Sequence, residues 1–217
     1  MVVSDYINLL VAGELKPHSI ANIGGEHRDE QQEINVQALI GFLDLANKAI
    51  HEKFSLIQKE ILLKEFYNNR TYELPGDFTY PVSAELLDGT KVPFNNERRL
   101  LDGSEDWGLS LMFPEPYLVL VKGKDFGGQE DISLVYSATP VQVEGVHDSL
   151  GLTSSFTQAV LDYVAYRAYI GIDGHIEGVN NTYYLRYLAD CNLIKSGGFV
   201  ASDNLGSNLK LVDRGFV

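Results

Sequence analysis

The run from 35 to 54, "NVQALIGFLDLANKAIHEKF", constrains the fold more than any other stretch of this chain. Val36, Leu39, Ile40, Leu43, Ala46, Ile50 and Phe54 recur at spacings of three and four, which puts them on one face of an α-helix. Burying each large member is worth roughly 1.5–3 kcal/mol, so this helix has to pack on something. Asn35 reads as its N-cap, since a side-chain oxygen there can accept a first-turn N–H. Upstream, Ser4 reads as the cap of a shorter helix with Ile7, Leu10 and Val11 on one face, and a polar loop rich in turn formers joins the two.

From 55 to 144 the pattern changes. Segments are short, rich in β-branched and aromatic residues, and broken by Gly, Pro, Asn and Asp. "EILLKEFY" reads as a strand, "NNRTYEL" follows a turn at Asn68-Asn69, and Asp88-Gly89 is a hairpin dipeptide. "GLSLMF" and "YLVLVKG" flank Pro114-Glu115-Pro116. "DISLVYSA" alternates, with Ile132, Leu134 and Tyr136 on one face and Ser133, Val135 and Ser137 on the other. Breakers between every segment predict an antiparallel meander.

Helical spacing then returns. Ser154 or Ser155 can cap a helix to about Ile170, after which Gly171, Gly174 and Gly178 break the chain. A second helix is expected from about Asn181 to Ile194, with Tyr184, Tyr187, Leu188 and Cys191 in helical register. The last stretch is rich in Gly, Ser and Asn, and its Phe199, Val200, Leu209, Leu211, Phe216 and Val217 read as anchors for another surface. The fold class is therefore α+β. The expectation is a helical bundle formed by residues 1–54 and 145–195, an inserted antiparallel β-rich subdomain at 55–144, and an extended C-terminal tail at 196–217.

Charge narrows the function. The net charge of −13 and a pI near 4.7 repel nucleic acid over most of the surface, and Arg98-Arg99 is the sole local basic concentration. The same acidity fits a surface past which DNA slides without being held. Cys191 is the one cysteine, so no disulfide forms within the chain, and its apolar neighbours make it a small buried hydrophobe. The N-terminus lacks a positively charged leader, and no apolar run approaches the roughly 18 residues that span a bilayer. The expectation is a soluble chain made in the cytoplasm, with no membrane partner.

The chemistry-bearing motifs are thin. Asp125-Phe126-Gly127 matches a kinase metal triplet without the loops that accompany it, so it reads as a β-turn. His175 and Glu177 could ligate a metal but lack a second cluster, and the acidic loops "LDGSEDWG" and "GEHRDE" do not fit a calcium loop. The five histidines are scattered and no nucleophile elbow exists. Glycine-rich phosphate loops are absent too. No catalytic residue, cofactor or metal is assigned. Two other readings stay open: a peptidoglycan-degrading enzyme using a carboxylate pair, and a carbohydrate- or receptor-binding β-domain around Trp107.

The segment "FTQAVLDYVAYRAYIG" is similar to the signature helix of head-to-tail adaptor proteins of short-tailed bacteriophages. Leu161, Asp162, Tyr163, Tyr166, Arg167, Ala168 and Tyr169 carry the likeness. "NVQALIGFLDLANKAI" resembles the family's first helix, and "DISLVYSATPVQV" looks like its last strand. The stretch from Glu85 to Gly108 does not align. The resemblance implies a non-enzymatic virion protein assembled in the host cytoplasm and sited at the head–tail junction. It implies a ring of about 12 copies below the portal protein, a lumen through which genomic DNA passes, and a platform for tail nozzle or tail fibre proteins. The interface residues it suggests are Tyr163, Tyr166, Arg167 and Tyr169 on the helix, with Phe199, Val200, Leu209, Leu211 and Phe216 in the tail. One face of the helix is expected to join the long helix at 35–54, and another the β-insert or a neighbouring subunit. Asp162 and Arg167 are five apart, an awkward spacing for a pair within one helix, so Arg167 is expected to find its carboxylate on another helix or subunit.

Overall fold

A computed structural model describes residues 1–16, 30–64, 70–94, 109–122, 131–173 and 179–198. These hold four α-helices and two small antiparallel sheets, an α+β arrangement. The chain divides into two compact units. One joins Met1–Phe54 to Val141–Val217, and the other is Ser55–Pro140.

In the helical unit, α1 spans Val3–Ala12, α2 Glu30–Phe54, α3 Thr157–Asp173 and α4 Val179–Ser196. Ser4 lies inside α1 rather than capping it. The orphan donors of that first turn are met otherwise: Val3 and Ser4 N–H donate to the carbonyls of Asp148 and Val146, both at 2.9 Å. The Asp5 carboxylate also accepts the Val2 N–H at 2.9 Å. Asn35 is likewise no cap. α2 starts five residues earlier, with Glu30 and Glu33 in a first turn where the helix dipole favours acid. Asn35 instead accepts from Gln31 Nε2, one turn back, at 3.2 Å. The expected apolar face of α2 is buried from Val36 to Phe54.

Ser154 and Ser155 fall in a short 3₁₀ turn that precedes α3, and α3 runs through Gly171 to Asp173. It packs against α1, α2 and α4. That explains why Ala159, Val160, Val164, Ala165 and Ala168 are all buried: small and β-branched residues let three helices approach one. α4 ends at a glycine pair, where Gly198 takes φ of +66° and Gly197 N–H returns to the Leu193 carbonyl at 2.8 Å. Within the helical unit, the segment from 141 to 150 is held to α2 by Asp44, whose Oδ1 accepts the Val143 N–H at 3.0 Å while its Oδ2 pairs with Lys48 at 2.7 Å.

The β-rich unit is not a meander. β1 (Gln58–Leu63), β6 (Ile132–Ala138) and β3 (Phe78–Leu86) form one sheet in that order, and β2 (Thr71–Glu73), β5 (Leu118–Lys122) and β4 (Ser110–Glu115) form the other. Turn residues mark where strands end but carry no information on which strand pairs with which. The alternation in β6 is present, with Ile132, Leu134 and Tyr136 buried, although Ser137 is buried as well. Pro81 sits in an edge strand beside a register shift, where a missing N–H is tolerated. The β4–β5 turn falls at Pro116-Tyr117, with Tyr117 at φ +64°, so Pro114 and Glu115 belong to β4. Gly89 takes φ of +85° in the turn after β3, as a hairpin dipeptide should. Leu63, Leu111, Val119, Ile132 and Leu134 from both sheets share one core.

Candidate interface site

The tyrosines of α3 meet a second set on α4. Tyr163 packs edge-on against Tyr187 with centroids 5.1 Å apart, Tyr166 lies 4.9 Å from Tyr184, and Tyr169 stacks on Tyr183 at 5.3 Å. Offset and edge-to-face rings at such distances gain about 0.5–1.5 kcal/mol beyond their burial. Lys53 of α2 lies 5.4 Å from the Tyr187 centroid, and the Arg186 guanidinium 5.5 Å from that of Tyr183. α4 therefore faces the α3 tyrosines.

The phenol tips tie down a third element. Tyr169 donates to the backbone carbonyl of Glu14 at 3.0 Å, and Tyr183 donates to Glu14 Oε2 at 2.7 Å. Arg186 reaches Glu14 Oε1 at 3.6 Å and Asp162 Oδ1 at 3.6 Å, distances that give attraction without a good hydrogen bond. Asp162 is 1% exposed; its Oδ1 also accepts from Gln158 at 3.3 Å, and its Oδ2 has no hydrogen-bond partner among the described residues. Burial raises its pKa to about 6, against the pull of Arg186 and Gln158 and with the help of Asp190 and Glu14. Burial likewise pushes the Tyr183 and Tyr187 phenols up, and each is raised further by its hydrogen-bond partner, Glu14 and Cys191 respectively. Both therefore serve as neutral donors. Cys191 is fully buried, and burial raises its thiol too.

Arg186 thus supplies the cation near Asp162. Arg167 is half-buried and acts electrostatically on the Tyr163 phenol, and it makes no ion pair among the described residues. The expected carboxylate partner of Arg167 is not found there. Sequence reasoning missed Glu14, Tyr183 and Arg186. A signal existed: "TYYLRY" on α4 repeats the tyrosine–arginine composition of "YVAYRAY" on α3.

The expected anchors Phe199, Val200, Leu209, Leu211 and Phe216 lie outside the described residues, as do Trp107, Arg98-Arg99, Asn68-Asn69, Asp125-Phe126-Gly127, His175 and Glu177. Among the described residues no three His, Cys, Asp or Glu side chains cluster as a metal site requires. No described helix is long and apolar enough to cross a membrane. No protein-family model matches the chain, and no curated protein matches its sequence. Chemically, the α3–α4 face is suited to packing and hydrogen bonding through neutral phenols.

Proposed function

We propose that this chain is a structural virion protein, a head-to-tail adaptor that forms a ring below the portal, extends the DNA channel and docks tail components. The observation that carries the reading is the role of α3. The residues that resemble the adaptor signature, from Leu161 to Tyr169, fall on the helix around which α1, α2 and α4 pack. The order of helices, compact β-rich unit and helices is the order that the resemblance implies. In this reading, the N- and C-terminal helices make one bundle and the unit from Ser55 to Pro140 is its insertion.

Charge supports the same reading. With −13 per chain, a ring of about 12 copies would carry roughly −150 charges before counterion screening, so DNA would slide through without binding. The test is mass measurement and negative-stain imaging of the full chain, alone and with the portal protein. Rings are the expected outcome. A chain that stays monomeric and ignores both portal and tail proteins overturns the proposal.

A further inference from the structure

α2 carries a short apolar stripe on the side that faces water, ahead of Lys48 and Glu52 on that same side. Ile34, Ala38, Gly41 and Leu45 follow one another at spacings of four, three and four, the period of a helix-packing seam. They lie opposite the buried face that holds Leu43 and Ile50. Ile34 is 56% exposed and Leu45 38%, while Ala38 and Gly41 are also exposed, and a Cβ built on Gly41 would touch nothing. The helix meanwhile buries Asp44, Asn47 and His51.

α4 has a second such face. Leu185 is 58% exposed and Leu193 66%, with Ala189 and Asn192 exposed between them, opposite the buried Tyr187, Cys191 and Ile194. Neither stripe bears a formal charge along these residues, which matters for a chain of −13 that has to meet itself. Their borders differ in sign: exposed Glu30 and Glu33 lie in the first turn of α2, and exposed Lys195 lies in the last turn of α4 beside its stripe. Their shapes differ as well, small residues at the middle of one and leucines on the other.

We infer that α2 of one copy packs on α4 of the next, a heterologous contact between two different faces of the same chain. Such a contact repeats around a ring when its rotation closes. The closure rests on the adaptor reading above; the contact between copies does not.

Single-cysteine additions test it, because Cys191 is buried. Full-length A38C protein and full-length L185C protein are oxidised separately and as an equal mixture at high concentration, and crosslinked species are read by mass. Dimer that joins A38C to L185C only in the mixture is the expected result. Efficient dimer from A38C alone would mean that α2 meets α2, and overturns the inference, as does a mixture that stays uncrosslinked. Leu185→Glu, at an exposed position that does not disturb folding by circular dichroism, should weaken self-association roughly tenfold to a hundredfold. Unchanged association in that variant also overturns the contact. Rings that bind portal without the A38C–L185C crosslink would reject this contact and keep the adaptor. Crosslinked assemblies that ignore the portal would do the reverse.

Discussion

A carboxylate with one oxygen partnered and the other without a hydrogen bond among the described residues, 1% exposed between α3 and α4, makes Asp162 sensitive to pH. Its folded pKa, about 6, lies above the ordinary value of 3.8. Below the ordinary value both folded and unfolded chains hold the proton. Between the two values the folded chain keeps a proton that the unfolded chain has lost. Stability from this group is therefore full at low pH, falls as pH rises toward 6, and levels off beyond, by up to about 3 kcal/mol. Asp162→Asn removes the titration, so the difference between wild-type and variant denaturation midpoints should grow in the variant's favour from pH 4 to 6 and then stay constant. A pH-independent difference would show that the carboxylate is better solvated than its burial implies. The comparison must be a difference, because His51 pulls the other way. Its ring is buried without a well-formed hydrogen bond, and burial lowers its pKa more than the Leu150 backbone raises it. As pH falls below the ordinary histidine value the unfolded chain protonates this ring while the folded chain still holds it neutral, so the folded state loses stability.

At the scale of elements, two polar tethers add to the apolar packing of α1 and α2. Asp44 fixes the return segment through the buried Val143 N–H. Asp44→Ala leaves that donor bare and should cost about 1–3 kcal/mol, with faster exchange at the Val143 amide. Asp44→Asn keeps an acceptor and loses mainly the ion pair to half-exposed Lys48, so it should cost under about 1 kcal/mol. Equal losses in both variants would refute the tether. The end of α1 is held at Glu14 by two phenols on different helices. Tyr169→Phe and Tyr183→Phe should each cost about 0.5–1.5 kcal/mol, and the double variant should cost less than their sum, since releasing Glu14 once relaxes both bonds. Strict additivity in denaturant melts would mean that the two bonds act independently. The elements themselves were legible because burial follows period: Val36 to Phe54 in α2 and Ile132 to Tyr136 in β6 take the faces that their spacing predicts. Their starts were not. Glu30–Glu33 and Thr157 extend or begin helices without apolar spacing, and α1 is capped by carbonyls 142 and 145 residues away in sequence, which no local pattern encodes. The candidate site was half legible for the same reason. Periodicity places the α3 tyrosines on faces of a helix, whereas the identity of the facing helix, and of Arg186 as the cation near Asp162, depends on tertiary packing.

For the whole molecule, the pairing of β1 with β6 decides how the two units are joined. Gln58 lies opposite Ser137, and Ala138 N–H donates to the Ile57 carbonyl at 2.9 Å. The chain therefore enters and leaves the β-rich unit on neighbouring strands, roughly 5 Å apart. A meander would have left the ends wherever its last strand fell. Ends this close let the unit be excised without stretching the helical one, and each unit has its own buried core. Replacing Ser55–Pro140 with a short Gly-Ser linker should leave a chain that melts cooperatively with a helical spectrum, because a loop of a few residues costs little closure entropy. Residues 55–140 expressed alone should give a β-type spectrum and an independent transition. If the linker variant loses its helical signal, or the excised unit is unfolded, then each unit depends on the other for its stability. In that case the insertion is part of one cooperative domain, and any ring built on α2 and α4 would need the β-rich unit to hold those helices in place.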